Sequence, residues 1–208
     1  MTFLNCKIKS CTNKAIFFKD YCLEHTEDKE SLIKEIHDFV NSKSTIKGFN
    51  FTKVPFDGFD FSSKNISYSI FSHCSMKKAK FVKTTMISTF FDFTELQESD
   101  FSNSFSRFSV FGGANLSNTN FYEAIMFSSN FLGAKIENTI FKNTDLSYSR
   151  FIGSIINNTS FNNCNLKKAF FQNSILDDIS LKTSNYQDAI LLKCDNNKTD
   201  IILEDYKP

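Results

Sequence analysis

From Phe51 to Leu191 the chain repeats every five residues. Of the 29 positions at that spacing, 28 carry an apolar or aromatic side chain, and the exception is Ser106. Two residues before each centre, from Ser69 to Ser174, every position is Ser, Thr, Ala or Cys without a break. A period of five is neither the 3.6 of an amphipathic helix nor the 2 of an ordinary strand. A coil with flat sides satisfies it. Each unit then supplies one side and a turn, the large and the small residue point inward, and the other three positions face water. The second inward slot must be small because backbone approaches backbone near the axis, where a Leu would overpack. A second period lies on the first: from Phe61 to Phe171 every tenth residue is Phe, alternating with centres such as Ile66, Met76, Met86, Leu96 and Leu116.

The units "ANLSN" at 114–118, "TDLSY" at 144–148 and "CNLKK" at 164–168 resemble the pentapeptide-repeat family, and the likeness runs over about residues 49–195. The resemblance implies an all-β chain, a right-handed quadrilateral parallel β-helix with four units per coil. About seven coils stacked at ~4.8 Å would make a rod of roughly 34 Å. With four sides per coil, the period of ten places Phe on two opposite sides and aliphatic residues on the other two. The Phe residues are read as core packing, with two stacked ladders filling the interior.

A solenoid needs caps, because each end bares unpaired backbone and core. At the start, Cys6, Cys11, Cys22 and His25 form C-x4-C-x10-C-x2-H, two close pairs separated by a short ribbon. Zinc takes four thiolate or imidazole ligands in a tetrahedron, and such pairs let each knuckle supply two. About 25 residues cannot bury enough core to fold without a staple, so the expected cofactor is a structural Zn2+. With all four positions committed as ligands, no open site is left for a catalytic water. The segment also resembles short Cys3His knuckles at the start of bacterial and phage proteins. Its core is expected to be separate from that of the β-helix. After Thr26 as N-cap, Leu32, Ile33, Ile36, Phe39 and Val40 share one face of a helix expected to lie across the first coil. His37 is given no role. The resulting division is a zinc knuckle over 1–25, a capping helix and linker over 26–48, the β-helix over 49–195 and a C-terminal cap over 196–208. In that last cap, Ile201, Ile202, Leu203 and Tyr206 are expected to cover the final coil. Several members of the family dimerise through this end, so the resemblance implies a possible homodimer.

Composition narrows the function. The chain of 208 residues has 26 Phe and no Trp, and 24 Lys plus Arg balance 23 Asp plus Glu for a net charge of +1. That argues against a basic nucleic-acid glove, and residues 1–50 also total only +1 despite Lys7, Lys9, Lys14 and Lys19 in the knuckle. A nucleic-acid contact through the knuckle is kept as an alternative. The best-known members of the family mimic DNA with an acidic rod and bind type II topoisomerases. Residues 51–195 hold 14 Lys plus Arg against 13 Asp plus Glu, which disfavours a gyrase-binding role. No basic leader with an apolar stretch opens the chain, and no run approaches a membrane span. The expected location is the cytoplasm. Cys74 and Cys164 occupy small inward slots, where a thiol is inert packing. No phosphate loop and no nucleophile with a base at a recognisable spacing is found, so neither an enzyme nor a small-molecule substrate is expected.

Residues 20 apart fall on one side, so the exterior can be sorted by face. The side centred on Phe71 to Phe171 carries Phe90, Phe93, Val110, Leu132, Ile152 and Phe170 on outward positions, with Gly113, Gly133 and Gly153 in a column beside them. The sides centred on Phe61 to Phe161 and on Met76 to Ile156 are mostly polar. The expectation is therefore a non-enzymatic interaction module or scaffold whose apolar face meets a protein partner or a second copy. Ser106 lies on the preceding side, near Phe105 and Phe108. The favoured expectation is a bulge that turns one of these aromatics inward in its place; the alternative is that Phe105 and Phe108 stay outside and extend the apolar interaction face round the corner.

Overall fold

The structure is a computed structural model, in which residues 3–191 and 194–197 are described. The repeat region is built of short parallel segments, and every rung joins residues 20 apart. Four rows of rungs result, represented by Asn65↔Thr85, Ile70↔Phe90, Ser75↔Glu95 and Asp60↔Lys80. Where the segments are long enough to count as strands, β1 (Thr85–Ile87) pairs with β2 (Phe105–Arg107). The second sheet runs β3 (Lys135–Glu137), β4 (Ile155–Ser160), β5 (Ile175–Ser180) and β6 (Asp195–Asn197), all parallel.

Sequence chemistry explains each corner. The residue before a centre is often Asn or Asp, and its side-chain oxygen accepts the amide two residues on. The distance is 2.8 Å from Ser62 to Asp60 and 3.3 Å from Lys167 to Asn165, with Asn65, Asp100, Asn115, Asn120, Asn130 and Asp145 doing the same. This is the Asx turn that makes Asn and Asp turn formers. Two residues after each centre the backbone is left-handed, and most of those positions are not glycine: Lys78 has φ 59°, Asn118 60° and Tyr148 60°. The glycine column is thus not required by φ. Gly113 alone of its members is crowded, since a Cβ there would stand 2.6 Å from the exposed Phe93 ring, which would have to move aside.

Inside, the two Phe ladders stack along the axis. Phe81 lies 4.3 Å from Phe101 at 7° and Phe91 5.0 Å from Phe111 at 9°, while Phe81 meets Phe91 edge to face at 85°. Parallel stacking within a ladder and T-shaped contact between ladders are the two arrangements that ring quadrupoles favour. The small inward Ser, Thr and Cys residues serve the backbone. Thr84 donates to the Phe61 carbonyl, Thr94 to Phe71, Thr144 to Phe121 and Ser149 to Met126, always 23 residues back. Only a small side chain with a donor at its tip reaches that carbonyl without displacing a ring.

At Ser106 no bulge occurs. The register holds through it, with Met86↔Ser106 and Phe105↔Ile125, and Ser106 is wholly buried. Phe108 stays outside, 50% exposed, and Phe105 is half-buried. A bulge would break two rungs of a ladder that is otherwise continuous, which costs more than placing one small polar residue inside.

The N-terminal segments close the first layer. Helix α1 spans Lys29–Ser42 and is capped by Asp28, which accepts the Ser31 amide at 2.9 Å; the N-cap thus falls two residues later than Thr26. Leu32, Ile36 and Val40 are buried, and Lys64 reaches the carbonyls of Asn41 and Lys43 at the helix C-terminus, where a cation is favoured. The knuckle's core is not separate. Ile16, Leu32, Ile36 and Val40 belong to one continuous cluster with Phe51, Phe56 and the Phe ladders. A 25-residue ribbon has too little apolar surface of its own, and it spends what it has on the open end of the stack. The expected C-terminal cap residues Ile201, Ile202, Leu203 and Tyr206 lie outside the described residues.

Candidate functional site

The four N-terminal ligand candidates converge. The Sγ atoms of Cys6, Cys11 and Cys22 and a ring nitrogen of His25 all lie within 4.8 Å of one another. Cys11 and Cys22 sulfurs are 3.8 Å apart, and His25 Nδ1 is 3.4 Å from the Cys6 sulfur and 3.3 Å from that of Cys22. Ligand atoms held ~2.0–2.3 Å from a tetrahedral zinc stand roughly 3.4–3.8 Å from one another. Three of the six separations thus match the edges of a zinc tetrahedron, and the rest lie within 4.8 Å, close enough for a metal to draw the four together. Local folding brings it about. An antiparallel bridge Asn5↔Lys14 folds the first ribbon, and a single 3-10 turn, Leu23–His25, swings His25 back beside Cys22.

Electrostatics fit a cation. Burial opposes ionisation of Cys6, but amides of Cys22 and Ile8 and the side chains of His25 and Cys11 outweigh it and bring its thiol down to about 6. The Asn13 amide favours the Cys11 thiolate, yet burial and the neighbouring sulfurs of Cys22 and Cys6 hold that thiol above its ordinary range. Sulfurs packed this closely cannot all ionise unless a positive charge sits among them. Cys74 and Cys164 behave otherwise. Burial raises both thiols, Cys164 up to about 12, and each donates to a backbone carbonyl, Phe51 and Phe141 respectively.

The knuckle is tied to the first layer at three points. The Phe17 amide donates to the Asn50 carbonyl at 2.8 Å, Asn50 Nδ2 donates to the Ala15 carbonyl at 2.8 Å, and Glu24 pairs with Lys53. In the repeat, the carbonyl of a residue such as Ile70 accepts from Phe51, one layer earlier. Phe17 thus donates where a preceding layer would. Its ring lies on Phe51 at 6.1 Å and 29°, adding a rung to the Phe ladder. His37 Nε2 donates to the Pro55 carbonyl at 2.7 Å, so this histidine has a capping role that its position in the sequence did not reveal.

The residues expected on the apolar face fall into separate groups. Phe90 and Val110 are adjacent rungs, but Asn130 and Arg150 interrupt the row before Phe170. Leu132 and Ile152 stand together one position round the turn. Phe93 is 61% exposed and stacks on His73 at 5.1 Å and 9°. The neighbouring edge is the more cohesive one. Phe108 meets Phe127 at 6.0 Å, Phe127 meets Tyr148 at 5.4 Å, and the Arg107 guanidinium lies 5.1 Å from the Phe127 ring centre. Arg107 was missed from sequence; its signal was a lone Arg in a run of outward aromatics.

Residues 107–143 and 144–182 match the family model "Pentapeptide repeats (8 copies)", and this part of the chain is made of pentapeptide repeats. Among solved structures, two trypsin-treated variants of QnrB1, a plasmid-mediated fluoroquinolone resistance protein, are similar in fold. One has a TM-score of 0.52 at 15% identity and the other 0.53 at 14%, each covering 74% of this chain and 82% of theirs. HetL, involved in heterocyst differentiation regulation in the cyanobacterium Nostoc sp. strain PCC 7120, aligns at 15% identity over 77% of this chain and 92% of its own, with a TM-score of 0.35. No curated protein sequence matches the chain. Among the described residues no helix is long and apolar enough to cross a membrane.

Proposed function

We propose that the chain is a non-enzymatic interaction module: a right-handed quadrilateral β-helix, capped by a zinc knuckle, that presents outward apolar side chains to a protein partner or a second copy. The observation that carries this reading is a contrast within one molecule. The side bearing Phe90, Phe93 and Leu132 and the adjoining edge at Phe108 expose most of the large aromatic groups, whereas Ser, Asn, Lys and Asp dominate the other two sides, with Ile140 and the adjacent pair Ile155 and Ile175 as exposed exceptions. Exposed apolar groups gathered on one part of a surface usually mark an interface, and a rigid stack holds even separate groups in fixed positions at little entropic cost on binding. The test is Leu132→Asp with Ile152→Asp. The double variant should keep its β-sheet circular dichroism and lose self-association in sedimentation, or capture of partners from native lysate. A wild-type protein that is monomeric and captures nothing counts against the reading.

Zinc in this reading is structural. Cys6, Cys11, Cys22 and His25 hold it, and it fixes Ile16 and Phe17 over the open end of the first layer. Protein purified without chelator should contain about one zinc per chain, and Cys22→Ser should lose it. Metal-free wild-type protein rules the site out.

A further inference from the structure

Ser106 is the one polar centre among the inward positions, and the polar bookkeeping of the core fails around it. Four buried side-chain oxygens lack a hydrogen-bond partner among the described residues, and three of them are Ser104, Ser106 and Ser129. Each of these residues is no more than 1% exposed. Between Ser69 and Ser174, every other Ser or Thr in the small inward slot holds a backbone carbonyl, normally the one 23 residues back. Counting the same way, Ser129 should hold the carbonyl of Ser106 and Ser104 that of Phe81. Neither bond is made.

The three residues lie on two adjacent layers, Ser104 and Ser106 on one side and Ser129 at the corner where the next side begins. Ser104 and Ser106 flank Phe105 in the β2 segment; Ser106 stands in register between Met86 above and Met126 below. Ser129 stands three residues after Met126, in the column whose other members Ser109 and Ser149 donate to the carbonyls of Met86 and Met126, so its hydroxyl is placed toward the Ser106 backbone. Side-chain sizes leave room for a ligand as well. Serine is two non-hydrogen atoms shorter than the Met or Leu of the neighbouring centres, and Ala124 lies next to Ser104 in its column. That is roughly the space of one water, and a buried water normally needs two to four polar partners.

We propose that this side of the stack encloses a bound-water site, one ordered water held between Met86 and Met126 by the hydroxyls of Ser104, Ser106 and Ser129. An apolar void would leave three buried hydroxyls unpaired, which native cores avoid, whereas one water can both donate to and accept from them. The site lies directly behind Phe105 and Phe108, on the strand that carries the aromatic edge.

A high-resolution crystal structure of the wild-type protein, with Ser106→Ala and Ser106→Leu alongside, decides the matter. The expected wild-type density is a single ordered peak within hydrogen-bond distance of at least two of the three hydroxyls. Ser106→Ala keeps the space but removes a partner, and its Tm should fall by about 2–4 °C. Ser106→Leu should expel the peak. A wild-type site without density, with the hydroxyls turned onto backbone carbonyls, overturns the proposal whatever the variants do. So does a Ser106→Ala protein at least as stable as wild type, because a dry site gains from losing a hydroxyl.

Discussion

At the scale of single residues, identity in this protein is set by slot. Phe111 is fully buried and stacks on Phe91 and on Phe131 at 5.0 and 5.1 Å. Phe111→Ala should cost about 3–5 kcal/mol, read from a shift in the denaturant midpoint at unchanged slope. Gly113 and Gly133 share a column and a left-handed backbone, yet they differ in surroundings. An added Cβ at Gly133 meets nothing within 4 Å, while at Gly113 it meets the Phe93 ring. Gly113→Ala should therefore displace Phe93 from His73, whereas Gly133→Asn should leave its neighbours in place, since Asn already holds this conformation at Asn173. Crystal structures of the two variants, or ring-current shifts at His73, distinguish the outcomes.

At the scale of elements, the knuckle and α1 act together as a substitute for a missing layer. Phe17 supplies a backbone donor and a ring, and His37 supplies a donor to Pro55. His37→Ala leaves that carbonyl to water and should destabilise the fold by about 1 kcal/mol. Removal of metal should do more, because the whole ribbon that carries Ile16 and Phe17 loses its staple. Chelation is expected to lower Tm and to raise amide exchange in residues 45–60 ahead of the later layers. Exchange confined to the knuckle would mean that the two units are not coupled. Acid should have the same effect as a chelator, since protons compete with metal for thiolates and imidazole. Zinc release followed with a metal-sensitive dye should rise as pH falls.

At the scale of the whole molecule, charge and shape point in different directions. The fold is that of QnrB1, but likeness at about 15% identity speaks to the fold alone. Residues 51–195 carry 14 basic against 13 acidic side chains, so the exterior lacks the continuous negative field with which a protein imitates DNA. Purified protein is accordingly expected to leave the supercoiling activity of DNA gyrase unchanged. Inhibition would reverse the order of the two readings.

The five-residue pattern by itself determined the inward positions, the small slot beside each of them and the Phe on alternate centres, because a short repeat that must bury one large side chain per unit leaves few choices for the others. The four residues of the candidate metal cluster were equally legible, since zinc demands donor types at short paired spacings. Other features needed the folded chain. The glycine column looked like a backbone requirement, but the turns impose left-handed φ on Lys, Asn and Tyr alike, and only the Phe93 ring singles out Gly113. Ser106 looked like a bulge, but ladder continuity on both sides holds it inside. The knuckle looked independent, yet the open end of the stack draws Ile16 and Phe17 into the common core. In each case the deciding contact joins segments far apart in the chain or layers 20 residues apart, and such contacts exist only once the layers are stacked.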